Sequence, residues 1–445
     1  MERYDSYKDS GVEWMNEIPS NWKKSRIRMV GDLYGGLTGK KGDDFNGEDN
    51  PSNKPFVPFT NIFNNTYISK DHFQYVNVEE NENQNRVLKN DLFFLMSSES
   101  YDDLGKCSIL LEDVEELYLN SFCKGFRIKD SNVYPLFLNY QLLGSLHKEM
   151  ISVEGNGFTR INLRQDRLLD IPVFIPPFYE QQQIVSFLDI KTSLIDSLIE
   201  KTHRKIELLK EKRTSLINEV VTKGLNPNVE MKDSGIEWIG DIPSHWVILK
   251  LGYLGSFKSG NGFPENVQGK QQGDFPFFKV SDTNNHGNEK FMTNSNNYVS
   301  NDDLQNFKWN LFNTNTIVFP KIGMVLLNNK RRILNQPSFI DNNMMGFSTN
   351  DKINFKFSYY LLSLIDFKDY CSDGTIPSIG ESQISPIKVG LPPLSEQQQI
   401  VEYLDEQTQI IDNTISIEEK RIELLKEYRQ SLISEVVTGK RKVVE

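Results

Sequence analysis

The chain states one frame twice, and whatever it folds into must accommodate that duplication. Lys8-Asp9-Ser10-Gly11-Val12-Glu13-Trp14, followed by Ile18-Pro19-Ser20-Asn21-Trp22, returns 224 positions on as Lys232-Asp233-Ser234-Gly235-Ile236-Glu237-Trp238 followed by Ile242-Pro243-Ser244-His245-Trp246. Each half closes on a second repeat, offset by 216: Glu180-Gln181-Gln182-Gln183-Ile184-Val185 returns as Glu396-Gln397-Gln398-Gln399-Ile400-Val401. Glu207-Leu208-Leu209-Lys210-Glu211 returns at the same offset as Glu423-Leu424-Leu425-Lys426-Glu427. Residues 25–150 and 250–370 between these ends show almost no mutual likeness. A duplicated frame with diverged contents describes two different modules on one symmetric scaffold.

The segment from Glu180 to Val221 lacks Pro and Gly and is stopped by Gly224 and Pro227, so it reads as one long helix. Its apolar positions settle into a four-three spacing at Ile195, Ile199, Thr202, Ile206, Leu209, Arg213, Leu216 and Val220. That is a coiled-coil seam, and Ile411, Ile415, Glu418, Ile422, Leu425, Arg429, Leu432 and Val436 repeat it in the same register. Neither helix can stand with an exposed seam, so each is expected to bury the other's in an antiparallel pair. A register centred on the middle of the seam sets Arg213 opposite Glu418 and Thr202 opposite Arg429. The Arg213–Glu418 pair would then penalise slipped registers.

Between the frame motifs, short apolar runs such as Asp91-Leu92-Phe93-Phe94-Leu95-Met96 and Thr316-Ile317-Val318-Phe319-Pro320 lie among turn residues and predict short strands joined by long loops. Helical patterns follow at Pro135 to Met150 and Lys356 to Phe367. The fold class expected is α+β. Its parts are a first module with its frame motif at 1–178, a long helix at 179–223, a linker at 224–233, a second module at 234–394, a second long helix at 395–438 and a basic tail at 439–445. Trp14, Trp22, Trp238 and Trp246 sit in the repeated frame, where they are expected to seat each module against the opposite end of the helix pair.

At 445 residues with 38% hydrophobic content, the chain can bury more than one core. No apolar run approaches the roughly 20 residues that span a bilayer, so no membrane role is indicated. Met1-Glu2-Arg3-Tyr4-Asp5 opens on charge, and Cys107, Cys123 and Cys371 show neither framework nor zinc spacing. The expected location is a reducing cytoplasm. A net charge of -11 argues at face value against nucleic acid, but bases cluster locally, as at Lys330-Arg331-Arg332, so the total neither establishes nor excludes it.

Motifs for chemistry fail on inspection. Gly35-Gly36-Leu37-Thr38-Gly39-Lys40-Lys41 is one residue short of a phosphate loop and has Lys41 where Ser or Thr is required. Ile175-Pro176-Pro177-Phe178 has an isoleucine where an amino-methyltransferase motif needs a polar residue. The five histidines are scattered without metal-ligand spacing. A chain without catalysis of its own is expected. The glutamine triplets could bond adenine edges, yet their identity in both copies favours scaffold or partner docking for Gln181, Gln182, Gln397 and Gln398.

Two variable modules, each preceded by Ser-Gly-(Val/Ile)-Glu-Trp with Ile-Pro-Ser-x-Trp and followed by Pro-Pro-x-x-Glu-Gln-Gln-Gln-Ile-Val and a long helix, resemble the DNA specificity subunit of Type I restriction-modification systems. The resemblance covers Lys8 to Lys440. It implies two target-recognition domains, separated by an antiparallel helix pair, each reading half of an asymmetric, gapped site in double-stranded DNA. It implies partners too: two methyltransferase subunits, and two motor-nuclease subunits for restriction. S-adenosylmethionine, ATP and magnesium would belong to those partners, with no cofactor or metal here.

Ser259-Gly260-Asn261-Gly262-Phe263-Pro264 is similar to the family's early recognition loop, with Tyr34-Gly35-Gly36-Leu37-Thr38-Gly39-Lys40 as counterpart. Gly157-Phe158-Thr159-Arg160 and Asp373-Gly374-Thr375-Ile376 resemble the loop that leads back to the scaffold. As basic residues in expected loops, Lys40, Lys41, Arg160, Lys258, Lys321, Lys330, Arg331 and Arg332 are the candidates for DNA contact. The reading from another class is a duplicated coiled-coil interaction protein whose modules bind protein or carbohydrate, for which the acidic charge would be natural.

Overall fold

The structure, a computed structural model, describes residues 3–13, 15–45, 53–304, 307–372 and 374–443. Trp14 and Asp373 therefore lie outside the described residues. The chain divides into two compact units. The first comprises Met1–His203 with Glu419–Glu445 and the second Arg204–Glu418, so each takes part of both long helices.

Inside each unit the same skeleton recurs. The first is built on an antiparallel sheet in the order Gly31–Gly35, Cys123–Ile128, Leu92–Leu95, Cys107–Ile109. The second repeats it as Gly255–Ser259, Met344–Thr349, Ile317–Pro320, Arg332–Leu334, and adds Phe291–Met292 parallel to the last strand. A smaller three-stranded sheet accompanies each: Tyr118–Leu119, Asn53–Val57 and Gln74–Asn77 in the first, Phe339–Ile340, Phe275–Phe278 and Tyr298–Val299 in the second. The central strands are apolar on both faces because helices and loops cover them; Leu92 to Leu95 and Ile317 to Phe319 are fully buried. The helix pattern from Pro135 is broken at Gly144 into Pro135–Leu143 and Ser145–Val153, whereas the second unit has Phe355–Leu364.

Two glycines mark the skeletons as equivalent. A Cβ on Gly36 would lie 2.0 Å from the Asn120 carbonyl oxygen, and one on Gly260 would lie 2.0 Å from that of Asp341. The next residue closes the contact both times, Leu37 N donating to Leu119 O and Asn261 N to Ile340 O. Only glycine allows the backbones to approach so closely.

The long helices run Phe178–Lys223 and Leu394–Val437, about 65–70 Å each at 1.5 Å per residue. In the first unit the start of one packs beside the end of the other, and Ile184, Val185 and Leu188 share a core with Leu432, Ile433, Val436 and Val437. In the second, Ile217, Val220 and Val221 share a core with Ile400, Val401 and Leu404. The neighbours are thus antiparallel within each unit.

The register differs from the one expected. Arg213 Nε lies 2.9 Å from Asp412 rather than facing Glu418, and Glu418 takes Lys205 Nζ at 2.6 Å. Arg429 likewise meets Asp196, at 2.9 Å, instead of standing opposite Thr202. The reason is reach: an arginine in a seam sends its guanidinium to the helix edge, whereas a buried carboxylate needs a cation whose stem can cover it. Glu418 is only 8% exposed at its side chain while Lys205, 53% exposed, reaches in from solvent.

Both frames are tied down alike. Trp22 and Trp246 are fully buried, and a buried indole N–H needs an acceptor. Glu180 accepts from Trp22 Nε1 at 2.8 Å, Tyr4 at 2.7 Å and Asn21 at 2.9 Å. Glu396 accepts from Trp246 Nε1 at 3.2 Å and lies 2.8 Å from His245 Nε2. Each carboxylate stands in the first turn of its helix, where the backbone amides favour negative charge.

Candidate nucleic-acid interface

In the first unit, strand Leu92–Leu95 leads into Ser97–Ser98, which pairs with Ile161–Leu163; that strand pairs in turn with Gly155–Asn156. The turn between the last two carries Phe158, fully exposed, and Arg160. Arg160 is aimed by Ser97, whose Oγ accepts from Nη2 at 3.0 Å and Nε at 3.2 Å. Its guanidinium also lies 5.7 Å from the ring of Phe122, which stands 61% exposed on the loop ahead of Cys123–Ile128. Arg160, Ser97 and Phe122 line a groove of about 670 Å³ together with Phe59 and Phe63. An arginine beside exposed aromatics, with hydroxyls close by, can bond base edges and apolar groups at once.

The second unit joins the same loops with different chemistry. Lys321, just after Ile317–Pro320, donates its backbone N–H to Asn343 O at 2.8 Å and its Nζ to Ser259 Oγ at 2.9 Å. The returning loop meets it through Ile379 N to Lys321 O and Gly323 N to Pro377 O. Around this junction Met324 and Ile376 are exposed, as is Lys258 beside Ser259. Asn343 precedes Met344–Thr349 as Phe122 precedes Cys123–Ile128, so an amide replaces an aromatic ring.

Of the eight basic candidates, then, Lys321 is bonded to Ser259, the chain neighbour of the exposed Lys258, and Arg160 stands on the matching loops of its own unit. Lys41 is exposed on the loop after Gly31–Gly35. Lys40 is engaged inside its unit: its side chain is 8% exposed and paired with Glu82, whose carboxyl it holds down at about 2. Arg331 is a correction. It is 2% exposed, stacked 3.8 Å over Phe367 and bonded to the Ile365 carbonyl, and burial pulls its guanidinium down to about 9. A side chain so enclosed holds loops together and cannot reach a duplex. Arg332 is half-buried and gives its guanidinium to the Thr283 and Arg331 carbonyls, while Lys330 is bonded to Asn284.

The residues that sequence reasoning missed are Ser97, Phe122, Met324 and Asn343. Their exposure or aim is set by tertiary pairing, and no local pattern signals it.

The glutamines divide by depth. Gln181 and Gln397 are fully buried, and each bonds the chain on both sides of its helix start. Gln181 donates to Asn132 O and Pro176 O and accepts from Tyr134 N; Gln397 donates to Lys352 O and Pro392 O and accepts from Asn354 N. Gln182 and Gln398 are exposed, and Gln398 bonds Asn354 and Glu402. Trp238 packs half-buried against the second unit's core. Among the described residues no group of three or more His, Cys, Asp or Glu side chains is placed to hold a metal ion, and no helix is long and apolar enough to cross a membrane.

Residues 19–209 and 243–427 match the family described as Type I restriction modification DNA specificity domain. The type I restriction enzyme MjaVIII specificity subunit of Methanocaldococcus jannaschii is 25% identical over 450 residues, covering 98% of this chain and 97% of that protein. The MjaIX specificity subunit of the same organism is 24% identical over 444 residues, covering 97% and 96%. Among solved structures, a chain from the assembly of a type I R-M system matches with a TM-score of 0.74 at 15% identity, over 95% of this chain and 99% of its own. The HsdS subunit from Thermoanaerobacter tengcongensis matches at 0.55 and 14%, over 95% and 98%.

Proposed function

The chain belongs to the Type I restriction-modification DNA specificity family, and from that premise we propose that it is a specificity subunit in which each unit reads one half of an asymmetric, gapped site in double-stranded DNA. The observation that carries this reading is the junction of equivalent loops in each unit, similar in backbone and different in side chain. Two readers of different sequences should differ where they read and agree where they are held. Arg160, Phe122 and Phe158 would face one half-site, and Lys258, Lys321, Asn343, Met324 and Ile376 the other. Arg bonds guanine bidentately, Asn bonds adenine, and apolar groups contact the thymine methyl, each good pair giving roughly 1–3 kcal/mol of discrimination. Lys41 and the lysines at the loop bases would position phosphates.

Bond-making belongs to partners in this reading. Two methyltransferase subunits would supply S-adenosylmethionine chemistry, and two motor-nuclease subunits would use ATP and magnesium, all in the cytoplasm. This chain would select the site and hold them there, with the exposed Gln182 and Gln398 available for docking. A coiled-coil protein whose modules bind protein or carbohydrate is not favoured by the family match. The test is to express the chain with its cognate methyltransferase and map methylated adenines genome-wide, before and after replacing residues 25–155 by a relative's module. One half of the site should change and the other stay. Both halves changing together, or methylation or cleavage by the isolated chain, would overturn the reading.

A further inference from the structure

Asp189 and Asp405 occupy the same place in the duplicated helix, and each accepts a tyrosine hydroxyl, Tyr140 at 2.6 Å and Tyr360 at 2.7 Å. In the second unit the carboxylate is also ligated by two ammonium groups, Lys290 Nζ at 2.7 Å and Lys356 Nζ at 2.8 Å. The first unit has Thr66 and Leu136 at those positions. Backbone bonds fix the equivalence. Thr66 O accepts from Ile109 N as Lys290 O accepts from Ile333 N, and Tyr134 N donates to Gln181 as Asn354 N donates to Gln397, two residues ahead of Leu136 and Lys356. Asp189 is left with the hydroxyls of Tyr140 and of Tyr67, the latter at 2.7 Å, and among the described residues no cation pairs with it.

Beside Asp189 lies an open cavity of about 1050 Å³, lined in part by Asn65, Thr66, Asp196 and Glu200. Thr66 is too short to fill the path that Lys290 takes in the second unit. Glu200 stands where the 216 offset places Ser416, so this side has gained a carboxylate and lost two ammonium groups. The one guanidinium in the wall, Arg429, is engaged by Asp196 at 2.9 Å. Carboxylates gathered in a partly enclosed site favour an opposite charge among them.

We propose that the cavity beside Asp189 binds a primary ammonium group on an aliphatic chain, supplied from outside the first unit as Lys290 and Lys356 supply it within the second. The ammonium would sit against Asp189 and its stem along Thr66, with Glu200 taking a second positive charge. Two sources carry that chemistry, a free polyamine and an exposed lysine of a protein partner. The proposal stands on the internal comparison and not on DNA reading; only the second arm of its test borrows the methyltransferase from that reading.

The experiment follows thermal unfolding and calorimetry of the full chain, without DNA, titrated with spermidine at fixed ionic strength. A saturable rise in Tm of about 3 °C is expected if the source is a polyamine. It should vanish in Thr66→Lys, which carries its own ammonium into the cavity, and in Asp189→Asn. If spermidine has no effect, association with the cognate methyltransferase is measured for the same variants, and a loss of at least about tenfold identifies a partner lysine. Thr66→Lys should fold with an unchanged or raised Tm, which separates loss of the site from loss of the fold. Spermidine binding and methyltransferase association both unchanged in Thr66→Lys would overturn the proposal. Methylation-site mapping of that variant reports separately on DNA reading, which should be unaffected.

Discussion

The first unit sets Phe122, Phe158 and Arg160 on loops where the second sets Asn343, Lys321 and Ile376, yet Trp22 and Trp246 are held by equivalent glutamates, Glu180 and Glu396, in the first turn of their helices. The contrast shows which contacts a duplication keeps. Positions that carry the chain's weight are locked by several partners at once, so drift there is expensive. Loop tips hydrogen-bonded to a single aiming side chain, as Arg160 is to Ser97, are free to change as long as the backbone beneath them does not.

That comparison can be broken most sharply by dividing the chain. Residues 1–226 lack Leu432, Ile433, Val436 and Val437, which the core around Trp22 requires. Their equivalents at the 216 offset, Leu216, Ile217, Val220 and Val221, are present in a second copy. The fragment should sediment as a homodimer and, with the methyltransferase, direct methylation to a palindromic gapped site. A folded monomer at micromolar concentration would show the two frames are not interchangeable.

Next in size, Trp22→Ala and Trp246→Ala should each cost about 3–5 kcal/mol in denaturant unfolding, because each leaves a cavity and takes one donor from a glutamate carboxylate. Equal losses sharpen the equivalence, and a silent variant on one side ends it. Acid should separate the units. His147 is fully buried and its pKa falls from 6.5 to about 4 through loss of water, with the Pro172 carbonyl opposing weakly. A depressed pKa means that the neutral ring's stability is fully present above pH 6.5 and is lost as pH falls toward 4, on the order of 3 kcal/mol. Among the described residues the second unit has no buried histidine. The first unit should therefore melt earlier in acid, and His147→Leu should flatten that dependence between pH 6.5 and 4.

Smaller effects test the loops and then the seam. Arg160→Ala should relax one half-site by roughly 1–3 kcal/mol of discrimination and leave the other alone, whereas Lys321→Ala should act on the opposite half. Loss on both halves from either variant would contradict separate readers. Double-mutant cycles on Arg213–Asp412 and Arg429–Asp196 should each give under about 1 kcal/mol, since these pairs are part-exposed. The two couplings should agree.

Much of this was legible in the sequence. The repeats located both frames, and heptad spacing located both helices, because a long seam has only one way to be apolar. The register was not legible. Arg213 and Glu418 are complementary on paper, but Asp412 and Lys205 stand closer to where each side chain can reach. The shared inner skeleton was hidden for another reason. A doubly covered strand of four residues demands only apolar bulk, so Leu92-Phe93-Phe94-Leu95 and Ile317-Val318-Phe319-Pro320 fill equivalent strands with only Phe94 and Phe319 identical in line. Arg331 misled because a run of bases reads as surface, while its middle member is enclosed by Phe319 and Phe367.

The interrupted make-up of the first unit bears on the order of events during synthesis. Its core around Trp22 closes only when residues 419–445 arrive, whereas everything in the second unit lies within 204–418. A chain emerging from its N-terminus makes the first module early yet must hold it open, with the Trp22 pocket unsealed, until the whole second unit has been made. The later-made module finishes first. The segment 419–445 carries Gly439, whose left-handed turn packs directly on Pro19 and Trp22, so it is the latch for the frame motif made long before it.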